Sequence, residues 1–590
     1  MENKMNKEWK LFIQLVETIH LSNRGEFVYE LCFLRYVGKE IFMNLAHQGN
    51  VKIEDIVRKF NDFSHLSVKN DYFKNHTEIE KLIEETVREI EKFKYSIEDV
   101  TDIICALSSY SDVVVKNMMN FDLLSDDSFK SGYTGTPEQL CRIVNQLLDI
   151  NETDEVLDIC SSYGNYLVNV GNCCSYKSLT GIEINSKASL ISKIRLVSLG
   201  LDSNIINEDL FLLNYDKKYD KILCDYPLGI KLDKLTQDYL SHSTEKMKFN
   251  WKIAPGSCEW YFIDILLTML SDKGKGVILL PGGPLFKLID EPFRKDLIEN
   301  GLIEAIIKIP SIRSYTLIEQ YALVISHNNE SVKFLDISKE VSGSKSKPTV
   351  LMNKVFDIIN NDKSVVIKSK EDLAANGYLL KIDNYVGAKE IQYHNPRKLA
   401  DFVLDRYRGY QMTSKEVKEL EDENGEYEIL TISDIDNGII SSDLKKASVN
   451  DKRFERYLVQ ENDVIISSKG TRIKIAVVNN IEDRKIVANG NLLVLRIDTN
   501  KLNPYYLASY LNSSNGQATL NQIQTGSVII SINPNNLIEM NISTFDIETQ
   551  EKIAKKYLMK QKQYLIAKEH LKKIEEEYEN YFDDEVLEMF

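Results

Sequence analysis

Residues 155–183 read EVLDICSSYGNYLVNVGNCCSYKSLTGIE: an apolar run, a turn of small residues, a helix-length amphipathic stretch, and a second apolar run closing on an acid. Two strand-length runs joined through a helix make a βαβ unit, and such a crossover sets its two strands parallel. The same rhythm extends in both directions. YDKILCDYP (219–227), KGVILLP (275–281), IEAIIKIP (303–310) and YALVISHN (321–328) are further apolar runs, and TPEQLCRIVNQLLD (136–149) and SKASLISKIRLVSLGL (186–201) are amphipathic segments. A mainly parallel sheet follows. In such sheets ligands sit beyond the carboxyl ends of the strands, so the turns after EVLD, TGIEI and KILCD are where chemistry is expected.

Outside this core the patterning changes twice. Residues 1–130 carry apolar positions at three- and four-residue spacings in EWKLFIQLVETIH, FVYELCFLRYVGKEIFMNLA, EIEKLIEETVREIEKF and IEDVTDIICAL, with no proline, and read as a helical bundle. The polar stretch SKEVSGSKSKPT (338–349) reads as a loop opening a connector over 341–395. From 396 to 550, alternating apolar residues with Gly and Asn-Gly turns indicate a separate α+β domain. Residues 551–590 read as one long helix, in which Tyr557, Tyr564, Ala567, Leu571, Ile574, Tyr578 and Tyr581 form a near-heptad stripe that predicts a partner helix.

The balance of charge narrows the function. With 73 basic against 89 acidic side chains the net charge is −16, so binding of nucleic acid must be confined to a local groove. All eight cysteines precede residue 259 and none form a C-x-x-C pair, which argues against a zinc module or a disulfide framework and gives no metal site. The polar start and the lack of a 20-residue apolar run predict a cytoplasmic protein.

Four strand ends carry candidate groups. Asp158 ends the first strand, and Gly164 lies in a small-residue turn that either admits a nucleotide-like cofactor to the backbone or serves only as a turn. Glu183 ends the second strand, either as an acceptor for ribose hydroxyls or as a solvated loop carboxylate. Asp209 follows the third and Asp225 the fourth, in the turn Asp225-Tyr226-Pro227-Leu228.

This order resembles the S-adenosylmethionine-dependent adenine-N6 DNA methyltransferases of the type I restriction-modification class, with a specificity-subunit-like region behind them. The resemblance spans about residues 130–590. It implies a Rossmann-like α/β methyltransferase domain over 131–340, preceded by the helical domain and followed by a target-recognition domain over 396–550. It also implies S-adenosylmethionine as cofactor. The family's T-P dipeptide, which helps hold the methionine end, corresponds to Thr136 and Pro137, with Thr134 and Gly135 where aromatic residues are usual and Tyr133 displaced. Its D-P-A-C-G-S-G-G loop corresponds to Asp158–Asn165, with Ser162 and Asn165 in glycine places. Glu183 matches the ribose-binding acid and Asp209 the acid near the cofactor's adenine.

The family's catalytic N-P-P-F or D-P-P-Y corresponds to Asp225, Tyr226, Pro227 and Leu228. The resemblance implies that Asp225 accepts a hydrogen bond from a flipped adenine N6. Tyr226 stands in a proline place, and Leu228 replaces the ring on which the base stacks.

Residues 398–545 resemble one target-recognition domain, through KLADFVLDRYRGYQMT, YEILTISDIDNGII, ENDVIISSKGT, NPYYLASYLNS and TGSVIISINPNNLIEMNIS; QEKIAKKYLMKQ resembles the spacer helix. The resemblance implies double-stranded DNA as partner, with Arg406, Arg408, Lys469, Arg472 and Lys474 as candidates for phosphate or base contacts. One such domain per chain implies a half-site, two of which a homodimer through the terminal helix combines. Cleavage of DNA needs a separate restriction subunit. Two functions follow as expectations: a sequence-specific adenine-N6 methyltransferase, or a catalytically weak or inactive methyltransferase-fold scaffold that binds DNA.

Overall fold

The computed structural model describes residues 24–63, 76–120 and 135–589, apart from short stretches within 231–256, 314–317, 345–346, 362–364, 387–392, 413–419, 449–451, 470–472 and 526–530. The segment EWKLFIQLVETIH lies outside the described residues, as do Tyr133, Thr134 and Arg472. Contacts divide the chain into two units, one ending at Val386 and the other formed by the described residues from 393 onward.

The first unit is built on a nine-stranded sheet. Its strands are β1 (Glu155–Ile159), β2 (Ser178–Ile182), β3 (Ser203–Ile206), β4 (Tyr219–Cys224), β5 (Leu270–Pro281), β6 (Ile303–Lys308), β7 (Gln320–Ile325), β8 (Ser331–Asp336) and β9 (Val366–Ser369). They lie in the order β9-β8-β6-β7-β5-β4-β1-β2-β3. Strands β3, β2, β1, β4 and β5 are parallel neighbours, whereas β7 runs antiparallel to both β5 and β6. The chain steps from β1 to β2 and β3 on one side and returns to β4 on the other, so a crevice opens at the carboxyl ends of β1 and β4.

Helices cover the sheet, and one shows how the preceding helices are integrated with it. Helix α1 (Arg24–Val37) and helix α2 (Ser186–Leu199), which links β2 to β3, pack together. Asn185 caps α2 by accepting from Ala188 N, and Gly200 ends it in the left-handed conformation at φ 73°. Ten of its 14 residues are buried, Arg195 included. Most of a helix polar enough for one wet face is thus taken out of water, and Arg195 is satisfied by the Met119 carbonyl at 2.9 Å, the Tyr163 carbonyl at 2.7 Å and Asn165 Oδ1 at 2.6 Å. Glu26 on α1 accepts from Tyr163 and pairs with Lys187. The helices before residue 120 therefore share their apolar core with the α/β part, in one continuous cluster.

The stretch expected as a loop at 338–349 contains a hairpin instead. Val341–Ser344 pairs antiparallel with Lys347–Val350, because backbone ladder bonds form regardless of the polar side chains.

The second unit holds a four-stranded antiparallel sheet of Val403–Arg408, Leu492–Ile497, Val464–Ser467 and Ile475–Val477, and a three-stranded sheet centred on Tyr427–Leu430. Helix Pro504–Asn512 starts at Asn503, whose side chain accepts from Tyr505 N and Tyr506 N. The terminal helix runs from Ile547 to Met589. Its stripe is divided. Tyr557 packs on the unit's own core and Tyr564 donates to Asp436 at 2.9 Å, while Leu571, Ile574 and Tyr578 are exposed.

Candidate active site

The loop after β1 adopts a tight form that its sequence opposes. Cys160 (φ 64°), Ser162 (φ 49°) and Gly164 (φ 77°) are all left-handed, and only the last is glycine. For an L-residue this costs roughly 1–2 kcal/mol. The surroundings impose it: Ser161 N donates to the Ile182 carbonyl at 2.8 Å, and Ser162 N donates to Glu183 Oε2 at 2.8 Å. A side chain at Gly164 would meet Ser192 Oγ at 2.4 Å, so glycine is required there on two counts. Asn165, in the other glycine place, opens the next helix, accepts from Arg195 and donates to the Thr136 carbonyl. Gly135 makes room for it, since a Cβ there would meet Asn165 Nδ2 at 2.3 Å.

Acids converge at the strand ends. Glu183 is 5% exposed, and Asn185 N donates to its second oxygen at 2.7 Å. Burial pushes its carboxyl above the ordinary range, against the backbone N–H groups that favour the charge. Asp158 is 2% exposed with Oδ1 unsatisfied, and burial beside Asp225 and Glu183 raises it well above the usual carboxylate range. Asp209 caps a short turn by accepting from Phe211 N at 3.0 Å.

The turn after β4 is organised around an ion pair. Asp225 Oδ2 accepts from Thr136 Oγ1 at 2.7 Å and from Arg313 Nη2 at 2.5 Å, and both members of the pair are buried. Arg313 Nε donates to Gln320 Oε1 at 3.0 Å, which ties it to the start of β7. Tyr226 turns inward: it is 2% exposed and its ring stacks on Phe262 with centroids 4.6 Å apart. Pro227 is exposed and Leu228 half-buried.

These groups border one cleft of about 820 Å³, counting the space open to solvent. Glu183, Asp209, Asp225, Tyr226, Pro227 and Leu228 all line it, and Asp158, Gly164, Thr136 and Pro137 do not. Arg313 lines it too, together with Phe262 and apolar side chains from the end of β2 and the turns after β2 and β3. No local pattern points to Arg313, because it follows β6 by a loop and meets Asp225 only through the antiparallel return of β7.

In the second unit, Arg406 donates to Asn535 at 3.0 Å, Arg408 is half-buried and Lys469 is exposed. Lys474 is committed internally, donating to the Ile432 and Ile435 carbonyls at 3.0 and 2.7 Å.

A mixed sheet with this switch point, and a cleft of acids and aromatic rings at its strand ends, make an α/β unit with its candidate site where such sheets bind ligands. Residues 123–394 match the family described as N-6 DNA Methylase, and residues 395–576 match the type I restriction modification DNA specificity domain. The chain thus carries an N-6 DNA methylase domain followed by a type I specificity domain. It is similar to the type I restriction enzyme MjaVII methylase subunit of Methanocaldococcus jannaschii, 26% identical over 291 residues, which are 44% of this chain and 50% of that protein. The chain spans about half the length of the curated relative it matches.

Among solved structures, a type I restriction-modification methyltransferase subunit from Streptococcus thermophilus has a TM-score of 0.50 at 16% identity, covering 65% of this chain and 99% of its own. A modification subunit of a putative type I restriction enzyme from Vibrio vulnificus gives 0.46 at 14% identity, covering 62% and 92%. At such identity the first likeness concerns the fold alone.

Proposed function

We propose that this chain is a sequence-specific DNA methyltransferase that uses S-adenosylmethionine to methylate adenine at N6 in a site read by its second unit. The observation that carries this reading is the meeting of Glu183, Asp209 and the Asp225–Leu228 turn on a single cleft. The residues fit the cofactor. Apolar walls from Ile182, Ile184, Leu210 and Phe211 suit an adenine ring, and Glu183 keeps lone pairs for ribose hydroxyls beyond its two backbone bonds. The unsatisfied Ser162 hydroxyl and Asp158 Oδ1 mark polar groups lacking a partner beside that cleft.

When bound, the cofactor supplies a methyl group activated on a sulfonium. The chain's part is to hold the target amine. Asp225 has both its hydrogen bonds on Oδ2, so Oδ1 remains to accept from an exocyclic N–H. Thr136 fixes that carboxylate, and the aromatic and apolar walls exclude water. Pro227 and Leu228 form the rim that a flipped base passes.

In the same reading the second unit binds duplex DNA through Arg406, Arg408, Lys469 and Arg472, and Leu571, Ile574 and Tyr578 pair two chains into a dimer reading a two-part site. Any cleavage belongs to a separate restriction subunit, and the protein works in the cytoplasm. No helix among the described residues is long and apolar enough to cross a membrane.

Calorimetry on the whole chain tests the central point. Micromolar binding of S-adenosylmethionine, abolished by Asp158→Ala and Glu183→Ala, is expected. Folded protein that binds none of it would leave a DNA-binding scaffold of methyltransferase fold.

A further inference from the structure

Among the described lining residues, Glu183, Glu208, Asp209 and Asp225 carry carboxyl groups, and Arg313 alone carries a cationic group. Arg313 is 7% exposed and its guanidinium meets the Asp225 carboxylate directly. Gln320 receives its Nε, and Thr136 donates to the same carboxylate oxygen, so the pair is held from both ends. The backbone at Asp225 lacks the stiffening of an immediately following proline, since Tyr226 occupies that place and is anchored in the core instead.

We propose that Arg313 is a positioning residue of this cleft, which by pairing with Asp225 directs Oδ1 toward substrate and sets the charge that a cationic ligand meets there. The inference rests on the reading of the cleft as a methyltransferase site. Its logic is electrostatic. The Asp225–Arg313 pair is neutral as a unit, and removing the guanidinium leaves an uncompensated carboxylate where the aromatic and aliphatic walls offer little screening. A ligand with a sulfonium feels that change, and its demethylated product, with a neutral thioether, feels it far less.

The pair therefore predicts a charge cycle readable without DNA and without turnover. The whole chain carries local charge 0 at this pair, Arg313→Met −1, Asp225→Asn +1, and the double variant 0. The ratio of the dissociation constants of S-adenosylmethionine and S-adenosylhomocysteine, measured by calorimetry, should fall roughly tenfold in Arg313→Met, rise in Asp225→Asn, and return to the parent value in the double variant. Damage to the fold alone would weaken both ligands together and leave the ratio unmoved, and Arg313→Lys should keep the parent ratio.

A ratio that does not follow the charge, with both ligands bound, overturns the role of Arg313 while the methyltransferase reading stands. Failure of the parent chain to bind either ligand overturns both. Where the target DNA is in hand, methyl transfer should fall in Arg313→Met through kcat with KM for S-adenosylmethionine not increased, and a fall confined to KM would count against positioning.

Discussion

The turns after β1 and β4 both depart from the pattern that the sequence resemblance implies, and the two departures have different consequences. At the first, serine and asparagine stand in glycine places: Ser162 is held left-handed as the Ser161 and Ser162 N–H groups donate to Ile182 and Glu183, and Asn165 opens the next helix, its side chain accommodated by Arg195 and the space at Gly135. At the second, Tyr226 is buried in the core and Leu228 offers no ring, and the carboxylate of Asp225, clamped by Thr136 and Arg313, remains with Pro227. Backbone freedom can be replaced by hydrogen bonds from neighbouring elements at a cost of about 1 kcal/mol per strained residue. An aromatic face cannot be replaced that way, since its contribution is contact with the substrate itself.

The contrast predicts where damage is greatest. Asp225→Ala should lower methyl transfer roughly 100-fold or more, the scale of a mispositioned reacting group, while DNA binding in a gel-shift assay is retained. Unchanged transfer would remove Asp225 from the mechanism and leave the second turn as scaffold.

The helix Glu259–Met269, whose Phe262 stacks on Tyr226, should also be sensitive to pH. Asp264 is 1% exposed, accepts from Phe249 N at 3.0 Å, and is pushed up to about 7 by burial. A carboxyl raised in the folded state binds its proton more tightly there than when unfolded, so its stabilisation is complete below pH 4 and is lost as pH rises through about 7. Asp264→Asn should therefore gain stability relative to the parent between pH 4 and 8, by on the order of 2 kcal/mol. Denaturant midpoints at a series of pH values measure it, and parallel curves would show that Asp264 does not titrate in that window.

Restoring the missing ring is the next test in size. Leu228→Phe should raise transfer about tenfold, corresponding to the lower part of the roughly 1–3 kcal/mol typical of base–aromatic stacking. No gain would mean that the side chain at 228 does not meet the base. The smallest effect is expected at the first turn, where Ser162→Gly relieves left-handed strain and adds unfolded-state entropy. The balance favours the variant by about 1 kcal/mol in thermal unfolding.

Much of this was legible in order along the chain. The apolar runs at 155–159, 178–182, 219–224 and 275–281 became parallel strands because hydrophobic periodicity and run length are local properties. Asp158, Glu183, Asp209 and Asp225 could be picked out because strand ends and acids are both visible in one dimension. The stripe on the terminal helix was visible as spacing, but not its division, since Tyr557 and Tyr564 are claimed by the unit they belong to. Lys474 was a candidate for DNA by charge alone, and its two carbonyl partners come from a turn about forty residues earlier.

The sequence by itself thus determined the central strands, the helices between them and the acids at their ends, since all of these follow from patterns within a few residues. Only the tertiary structure decided what each acid meets. Arg313 reaches Asp225 across 88 residues, and no local pattern encodes it. An ion pair depends on the register of β6 and β7 and on the low-dielectric wall that encloses it, and both exist only once the sheet has closed.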